Sequence, residues 1–279
     1  MKHILNLVIN YANEEEVIKY AKSLENQSIS DKIILVIVIN KMGAISKFDF
    51  NQKLNDINLK INIYDAGGNL GYLNGCLFGY KKFIKKNNYN LDWILISNTD
   101  LIIENKDFFN EFFSYDYSNE TWCIAPSVYN MNNKTYDNPK YENRIPISKI
   151  NKTIFIHKHP LLSLIYLKLG KYKSKLTKKD KSKSQYCYAV QGCFFALRKE
   201  LIDIIKDKSF DAFLYSEENY ISELLRTYDK KCYYNSEVEI FHNEKQTTGF
   251  LNYKKRADFY VESLKYIRKE FYDDFDVHN

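Results

Sequence analysis

The chain has 279 residues, 45% of them hydrophobic and including 24 Tyr and 18 Phe; it can bury a sizeable core as one large domain or a domain with an elaborated half, and it is too apolar to be disordered. Its longest apolar run, the seven residues of Ile33–Ile39, falls far short of the roughly 20 that a membrane-spanning helix needs, and residues 1–20 show no signal-peptide pattern, so the expected location is the cytoplasm or the inner face of a membrane. The net charge of +6 is concentrated, because Lys168–Lys183 holds eight lysines against one aspartate; a single Lys/Ser-rich segment reads as a flexible loop and not as the broad, aromatic-interleaved basic face of a nucleic-acid binder.

In chain order, Ile4–Asn10 reads as a first strand. Glu14–Asn26 follows as a helix, with Val17, Ile18, Ala21 and Leu24 at helical spacing and acids in the first turn. Ile33–Ile39 is continuously β-branched and apolar, as a central parallel strand covered on both faces should be. Ile61–Tyr64 is a short third strand, Gly71–Lys86 a helix and Trp93–Ser97 a fourth strand. This alternation predicts a three-layer α/β sheet, which binds ligands beyond the carboxyl ends of its strands; Tyr11, Asn40, Asn69 and Asp100 fall at such ends. From Ser127 to Lys183 few periodic elements stand out, and His157-Lys158-His159, before Pro160, reads as a solvated connection. Val190–Leu197 is then a strand, Leu201–Lys206 a short helix and Glu217–Thr227 a longer one. Two strands follow near Cys232–Tyr234 and Val238–His242, and Asn252–Phe271 is an amphipathic helix. The five cysteines show no CxxC pair and read as buried free thiols.

Four places carry chemistry. "GGNLG" (Gly67–Gly71) is either an ordinary strand-to-helix turn or a place where backbone approaches an anionic ligand at a helix N-terminus. It is not a GxGxxG fingerprint, and there is no Walker lysine. Asp100, after the apolar "WILIS", is either a turn aspartate or a carboxylate that a divalent cation on a diphosphate would partner. Glu217 and Glu218 open a helix, where acids complement the dipole or where one of them serves as a general base. His242 ends the last strand and is either hydrogen-bonded within the fold or a ligand of metal or diphosphate.

In this order and spacing the stretches resemble the family-2 glycosyltransferases of the GT-A fold, especially bacterial enzymes of surface and capsular polysaccharide assembly. Tyr11 matches the family's first strand-end turn, with Ala12 in the usual Asn place. Asn69, Gly71 and Tyr72 match its N-x-G-[FY] turn, and Asn98-Thr99-Asp100 its Asp-x-Asp type metal motif. Gly192 and Arg198 match a later strand and turn. Phe210, Asp211, Phe213, Tyr215 and Glu217-Glu218 match its acidic motif, and Val238 and His242 its final strand. Ile39 stands where the family usually has a base-contacting aspartate, with Asn40 next to it, and the acidic motif is Glu-Glu instead of Glu-Asp. The resemblance covers residues 4–126 and 188–249.

The resemblance implies a Rossmann-like GT-A sheet with a nucleotide-sugar-binding half at 1–126, an acceptor-binding catalytic half at 127–250 with its basic loop near 168–183, and a C-terminal helix within 251–279. It implies an inverting hexosyl or deoxyhexosyl transfer from a nucleotide-diphosphate sugar to a glycan or lipid-linked acceptor. Mn²⁺ or Mg²⁺ would be held by Asp100 and His242. Tyr11, Asn13, Asn40, Asn69, Gly71, Tyr72, Asn98 and Gly192 would line the donor site, and the base would be Glu218, with Glu217 and Asp211 as the other candidate acids. A sugar-phosphate nucleotidyltransferase would instead want a glycine-rich basic loop after the first strand, where "NYANEEE" stands; a non-catalytic sugar- or nucleotide-binding scaffold is the other alternative. Pro160–Gly170 followed by the lysine run pairs apolar surface with positive charge, as on proteins seated on anionic membranes, or is a core helix followed by a solvated loop.

Overall fold

In the computed structural model, which describes residues 2–176, 178–208, 210–243 and 253–273, the alternation of the first hundred residues forms a parallel sheet. Strands β1 (His3–Tyr11), β2 (Ile33–Lys41), β3 (Lys60–Asp65) and β4 (Leu91–Ser97) lie in the order β3-β2-β1-β4. Helices α1 (Glu14–Glu25), α2 (Lys47–Asn55) and α3 (Leu73–Lys86) connect them. The composition of β2 follows from its place: Ile34, Val36 and Val38 join one apolar cluster and Ile33, Leu35 and Ile37 the other, so neither face of the strand meets water. Helix α3 lies close to the sheet, since a Cβ on Gly79 would stand 2.5 Å from Val38 Cγ2.

The chain continues through β5 (Leu101–Ile102), α4 (Phe108–Ser114), β6 (Thr121–Asn130), β7 (Thr135–Tyr136), α5 (Ile147–Lys158), α6 (Pro160–Leu176) and β8 (Gln185–Cys187). It ends through β9 (Phe194–Arg198), α7 (Lys199–Ile205), α8 (Glu217–Thr227), β10 (Lys231–His242) and α9 (Tyr253–Phe271). These strands extend the same sheet in the order β4-β9-β6-β10-β5, with β7 on β6 and β8 on β10. Strand β9 is antiparallel to β4 and β6, β10 is parallel to β6, and β5 is antiparallel to β10. One ten-stranded mixed sheet therefore runs through both halves of the chain.

Several expectations are corrected here. Cys232–Tyr234 and Val238–His242 belong to one strand: pairing of β10 with β6 jumps from Asn235↔Pro126 to Glu239↔Ser127, so a bulge interrupts the alternation without ending the strand. The basic segment is not a loop throughout, because α6 carries it helically as far as Leu176. Leu161, Leu162, Leu164 and Leu169 of this helix face outward, so no inward apolar stripe announces it. The segment from Ser127 to Lys183 likewise contains α5, whose Ile150, Ile154 and His157 face inward at helical spacing between Lys, Asn and Thr. His157 is buried, not solvated, with Nδ1 2.7 Å from Ser163 Oγ. The cysteines are free thiols, four buried and Cys187 partly so.

Helix α8 is anchored by a buried carboxylate. Glu223 accepts 2.8 and 2.9 Å bonds from Arg144 Nε and Nη2, and further bonds from the hydroxyls of Tyr188 at 2.8 Å and Tyr272 at 3.0 Å. Arg144 also donates to the Phe271 carbonyl at 2.9 Å, which ties α8 to the end of α9. Removing one partner of a buried ion pair strands the other charge, at a cost of about 3–5 kcal/mol. We predict that Arg144→Ala lowers the unfolding free energy by about 3 kcal/mol in denaturant titration, while Lys47→Ala, at the exposed Lys47–Asp65 pair, costs less than about 1 kcal/mol.

Candidate functional site

At the carboxyl end of β1 the backbone turns through Ala12 at φ +57°, and Asn13 organises the turn. Its Oδ1 accepts the Tyr11 N–H at 2.7 Å, and its Nδ2 donates to Thr99 Oγ1 at 2.9 Å, linking the first loop to Asn98-Thr99-Asp100. The Tyr11 ring has Lys41 Nζ 5.5 Å from its centroid. Buried Glu14 braces the same region, accepting from Asn10 Nδ2 at 3.0 Å and from the Gly43 N–H at 2.7 Å. Asn40 holds the glycine turn: its Nδ2 donates to Asn69 Oδ1 at 3.1 Å and to the Gly71 carbonyl at 2.9 Å, and the Gly71 N–H donates to Asn69 Oδ1 at 3.1 Å. Gly71 is required twice over, since its φ is +79° and a Cβ would stand 2.1 Å from the Phe213 carbonyl oxygen.

Asp100 sits just before β5, and His242 ends β10. The antiparallel pairing His242↔Leu101, with the Asn243 N–H donating to the Asp100 carbonyl at 3.0 Å, brings the two side chains face to face. His242 Nε2 lies 3.3 Å from Asp100 Oδ1, and both side chains are almost fully buried. Burial works against charge on the imidazole, but Asp100 and Cys193 beside it push His242 up to about 11. Cys193 also anchors the Asn98–Asp100 loop, its carbonyl accepting the Asn98 N–H at 2.8 Å. Among the described residues no group of three or more His, Cys, Asp and Glu side chains gathers as a metal site. One carboxylate and one imidazole nonetheless fit a divalent cation that takes its remaining ligands from a diphosphate and water.

The acids occupy the first turn of α8, entered through two successive left-handed residues, Tyr215 at φ +73° and Ser216 at φ +62°. As their positions on a helix require, Glu217 and Glu218 diverge. Glu217 is buried within electrostatic reach of Tyr72 and Cys76 and accepts the Tyr215 N–H at 3.1 Å. Burial, reinforced by the Glu218 charge, pushes its carboxyl up to about 7. Glu218 forms an ion pair with Lys140, and its Oε2 lies 3.4 Å from where a Cβ on Gly192 would be. The Tyr72 hydroxyl donates to the Gly192 carbonyl at 3.2 Å. Gly192-Cys193 is therefore the hinge between the two groups: one residue faces Tyr72 and Glu218, the next faces Asn98 and His242.

Asp211 is apart from this arrangement, exposed and within electrostatic reach of Tyr220 and Tyr266. Arg198 lies at the other end of β9, bonded to Asp92 at 2.8 Å and stacked on Trp93. Residues 244–249 of the last motif lie outside the described residues. A cavity of about 320 Å³ beside β5 and β10, lined by Ile102, Tyr129 and Phe241 among others, contains none of the candidate residues. Sequence reasoning missed Lys140, whose partner is 78 positions away, and it treated Cys193 only as a buried thiol.

No protein-family model matches the chain, and no curated protein matches it in sequence. In three dimensions it matches the mannosyltransferase PcManGT from Pyrobaculum calidifontis, solved with GDP-Man and Mn²⁺, with a TM-score of 0.54 at 9% identity over 88% of this chain and 58% of that one. It also matches GalNAc-T7, solved with UDP, GalNAc and Mn²⁺, with a TM-score of 0.62 at 11% identity over 99% of this chain and 50% of that one. The chain thus spans between half and three fifths of the length of these structures. At such identities the likeness establishes the fold, which is the GT-A α/β fold.

The Glu217 carboxyl has a pH signature. Its ordinary value is 4.5 and its folded value about 7, so between them the folded state keeps a proton that the unfolded state has lost. Stability therefore falls as pH rises from about 4.5 to about 7. Glu217→Gln, which keeps the acceptor for the Tyr215 N–H, should remove that loss. Denaturant titrations should show the variant gaining on the parent by roughly 2–3 kcal/mol across this window, and parallel pH profiles would refute the assignment.

Proposed function

We propose that the chain is a glycosyltransferase that moves one sugar, a hexosyl or deoxyhexosyl unit, from a nucleotide-diphosphate donor to an acceptor hydroxyl with inversion, in the manner of family-2 enzymes of surface polysaccharide assembly. The observation that carries this reading is the buried Asp100–His242 pair at the strand ends, joined through Gly192-Cys193 to the Glu217–Glu218 turn. A strand-end carboxylate and imidazole suit the donor side, and a base one hinge residue away suits the acceptor side. The two solved structures named above hold GDP-Man, or UDP with GalNAc, together with Mn²⁺, which supports a nucleoside-diphosphate sugar as donor and a divalent cation as cofactor.

Asp100 and His242 would hold Mn²⁺ or Mg²⁺, which neutralises charge developing on a leaving diphosphate. The Asn69–Gly71 turn, braced by Asn40 and preceding the N-terminus of α3, offers backbone to the diphosphate. Glu218 takes the proton from the acceptor hydroxyl at its carboxylate oxygen, which lies beside the Lys140 ammonium in an ion pair. A single base opposite the leaving group, with in-line attack, inverts the anomeric centre. Glu217 lies behind, fixing the turn through Tyr215.

Two measurements test this. Titration calorimetry with a panel of nucleotide sugars should detect donor binding that needs Mn²⁺ and that Asp100→Ala abolishes while circular dichroism stays unchanged; equal binding by the variant would remove the metal role. Glu218→Gln should lower turnover by roughly 10²–10⁴-fold with donor affinity nearly unchanged. Near-normal turnover in Glu218→Gln, beside an inactive Glu217→Gln, would transfer the role to Glu217.

A further inference from the structure

Helix α6 is built inside out. Ser163, which shares its 2.7 Å contact with His157, is fully buried, while Leu161 is 76%, Ile165 55% and Leu169 62% exposed. Phe155 of α5, 59% exposed, adds to the same hairpin. Soluble proteins seldom present this many large aliphatic side chains together on a contiguous surface unless something covers it. The charge around the hairpin says what that is. Residues 143–179 contain nine lysines, one arginine and no aspartate or glutamate. Two copies of this face brought together would set like charges against one another, whereas an anionic surface complements them.

We propose that the α5–α6 hairpin seats the protein on an anionic membrane surface, with Leu161, Ile165 and Leu169 in the headgroup region and the segment's net positive charge attracted to the phosphates. No helix among the described residues is long and apolar enough to cross a membrane, so this is contact with a surface and not a span. The hairpin is also joined to the candidate site. Tyr166 of α6 stacks edge-on against His157 at 5.7 Å, His157 against Tyr260 at 5.4 Å, and Tyr260 against Tyr215 at 6.2 Å. Tyr215 donates its N–H to Glu217, and Tyr260 is within electrostatic reach of Lys140 and Glu218. A protein seated this way holds its acid pair near the lipid–water interface. The acceptor class that follows, a hydroxyl on a lipid-linked carrier, rests on the transferase reading.

The test is flotation of the full chain with phosphatidylcholine vesicles, with and without phosphatidylglycerol. The parent should prefer the anionic vesicles by about tenfold or more. Leu161→Ser/Ile165→Ser/Leu169→Ser, all at exposed positions, should bind them about tenfold or more weakly with an unchanged thermal midpoint. If that variant unfolds, Lys168→Glu/Lys178→Glu carries the test and should erase the preference for phosphatidylglycerol. Binding indifferent to phosphatidylglycerol, or variants that float like the parent, would overturn the proposal. So would a parent dimer that the triple substitution makes monomeric without any vesicle binding, since the face would then belong to a second copy. Mn²⁺-dependent donor binding, measured on the same samples without vesicles, separates the two readings: its loss alone overturns the transferase, and loss of flotation alone overturns the membrane seat.

Discussion

A carboxylate and an imidazole, buried and 3.3 Å apart, are the contact on which the arrangement of this protein turns. Neither belongs inside a protein unpartnered, and the chain goes to some length to bring them together. Strand β5 is two residues long and pairs, among the described residues, only with the end of β10. Strand β10 reaches that point after a bulge that shifts its register on β6 and carries His242 out to the strand ends where β1 and β4 also finish. Asp100 and Cys193 beside the imidazole hold His242 far above its ordinary range, against the opposing effect of burial. Under the proposed reading, the same pair that holds the fold together here would also hold the divalent cation.

The second group depends on backbone strain. Two consecutive non-glycine residues in the left-handed region cost on the order of 1–3 kcal/mol each, and Tyr215 and Ser216 immediately precede the acids. The strain persists because α8 is fixed elsewhere: Glu223, at its buried centre, is held by Arg144, Tyr188 and Tyr272. The Ser263 hydroxyl adds a 3.1 Å bond to Ser216. The result is a pair of adjacent glutamates with different surroundings, one buried and carrying its proton near neutrality, the other facing a lysine. Separation of this kind lets neighbouring carboxyls take different roles.

The first hundred residues were legible because β2 buries both faces and so is apolar throughout, and because α1 and α3 carry one-sided apolar stripes. Helix α8 began at Glu217 as its spacing required. The candidate residues Asn69, Asp100, Glu218 and His242 could be picked out because each stands at an element end with a residue type that packing alone does not demand. What remained hidden has physical reasons. The bulge in β10 looks like a loop to a period-two reading. Helix α6 turns its apolar side to solvent, so the rule that apolar means inward fails there. Lys140 acts through a partner 78 positions away, and no local pattern records such a contact.

The central claim is that Asp100 and His242 together form the cation end of a nucleotide-sugar site. Crystals of the full chain grown with Mn²⁺ and a nucleoside diphosphate, measured at the manganese edge, test it most directly. The account predicts one strong anomalous peak bridging the Asp100 carboxylate, the His242 imidazole and the diphosphate oxygens. A diphosphate bound elsewhere on the sheet, or manganese away from Asp100 with His242 still paired to it, would contradict the account.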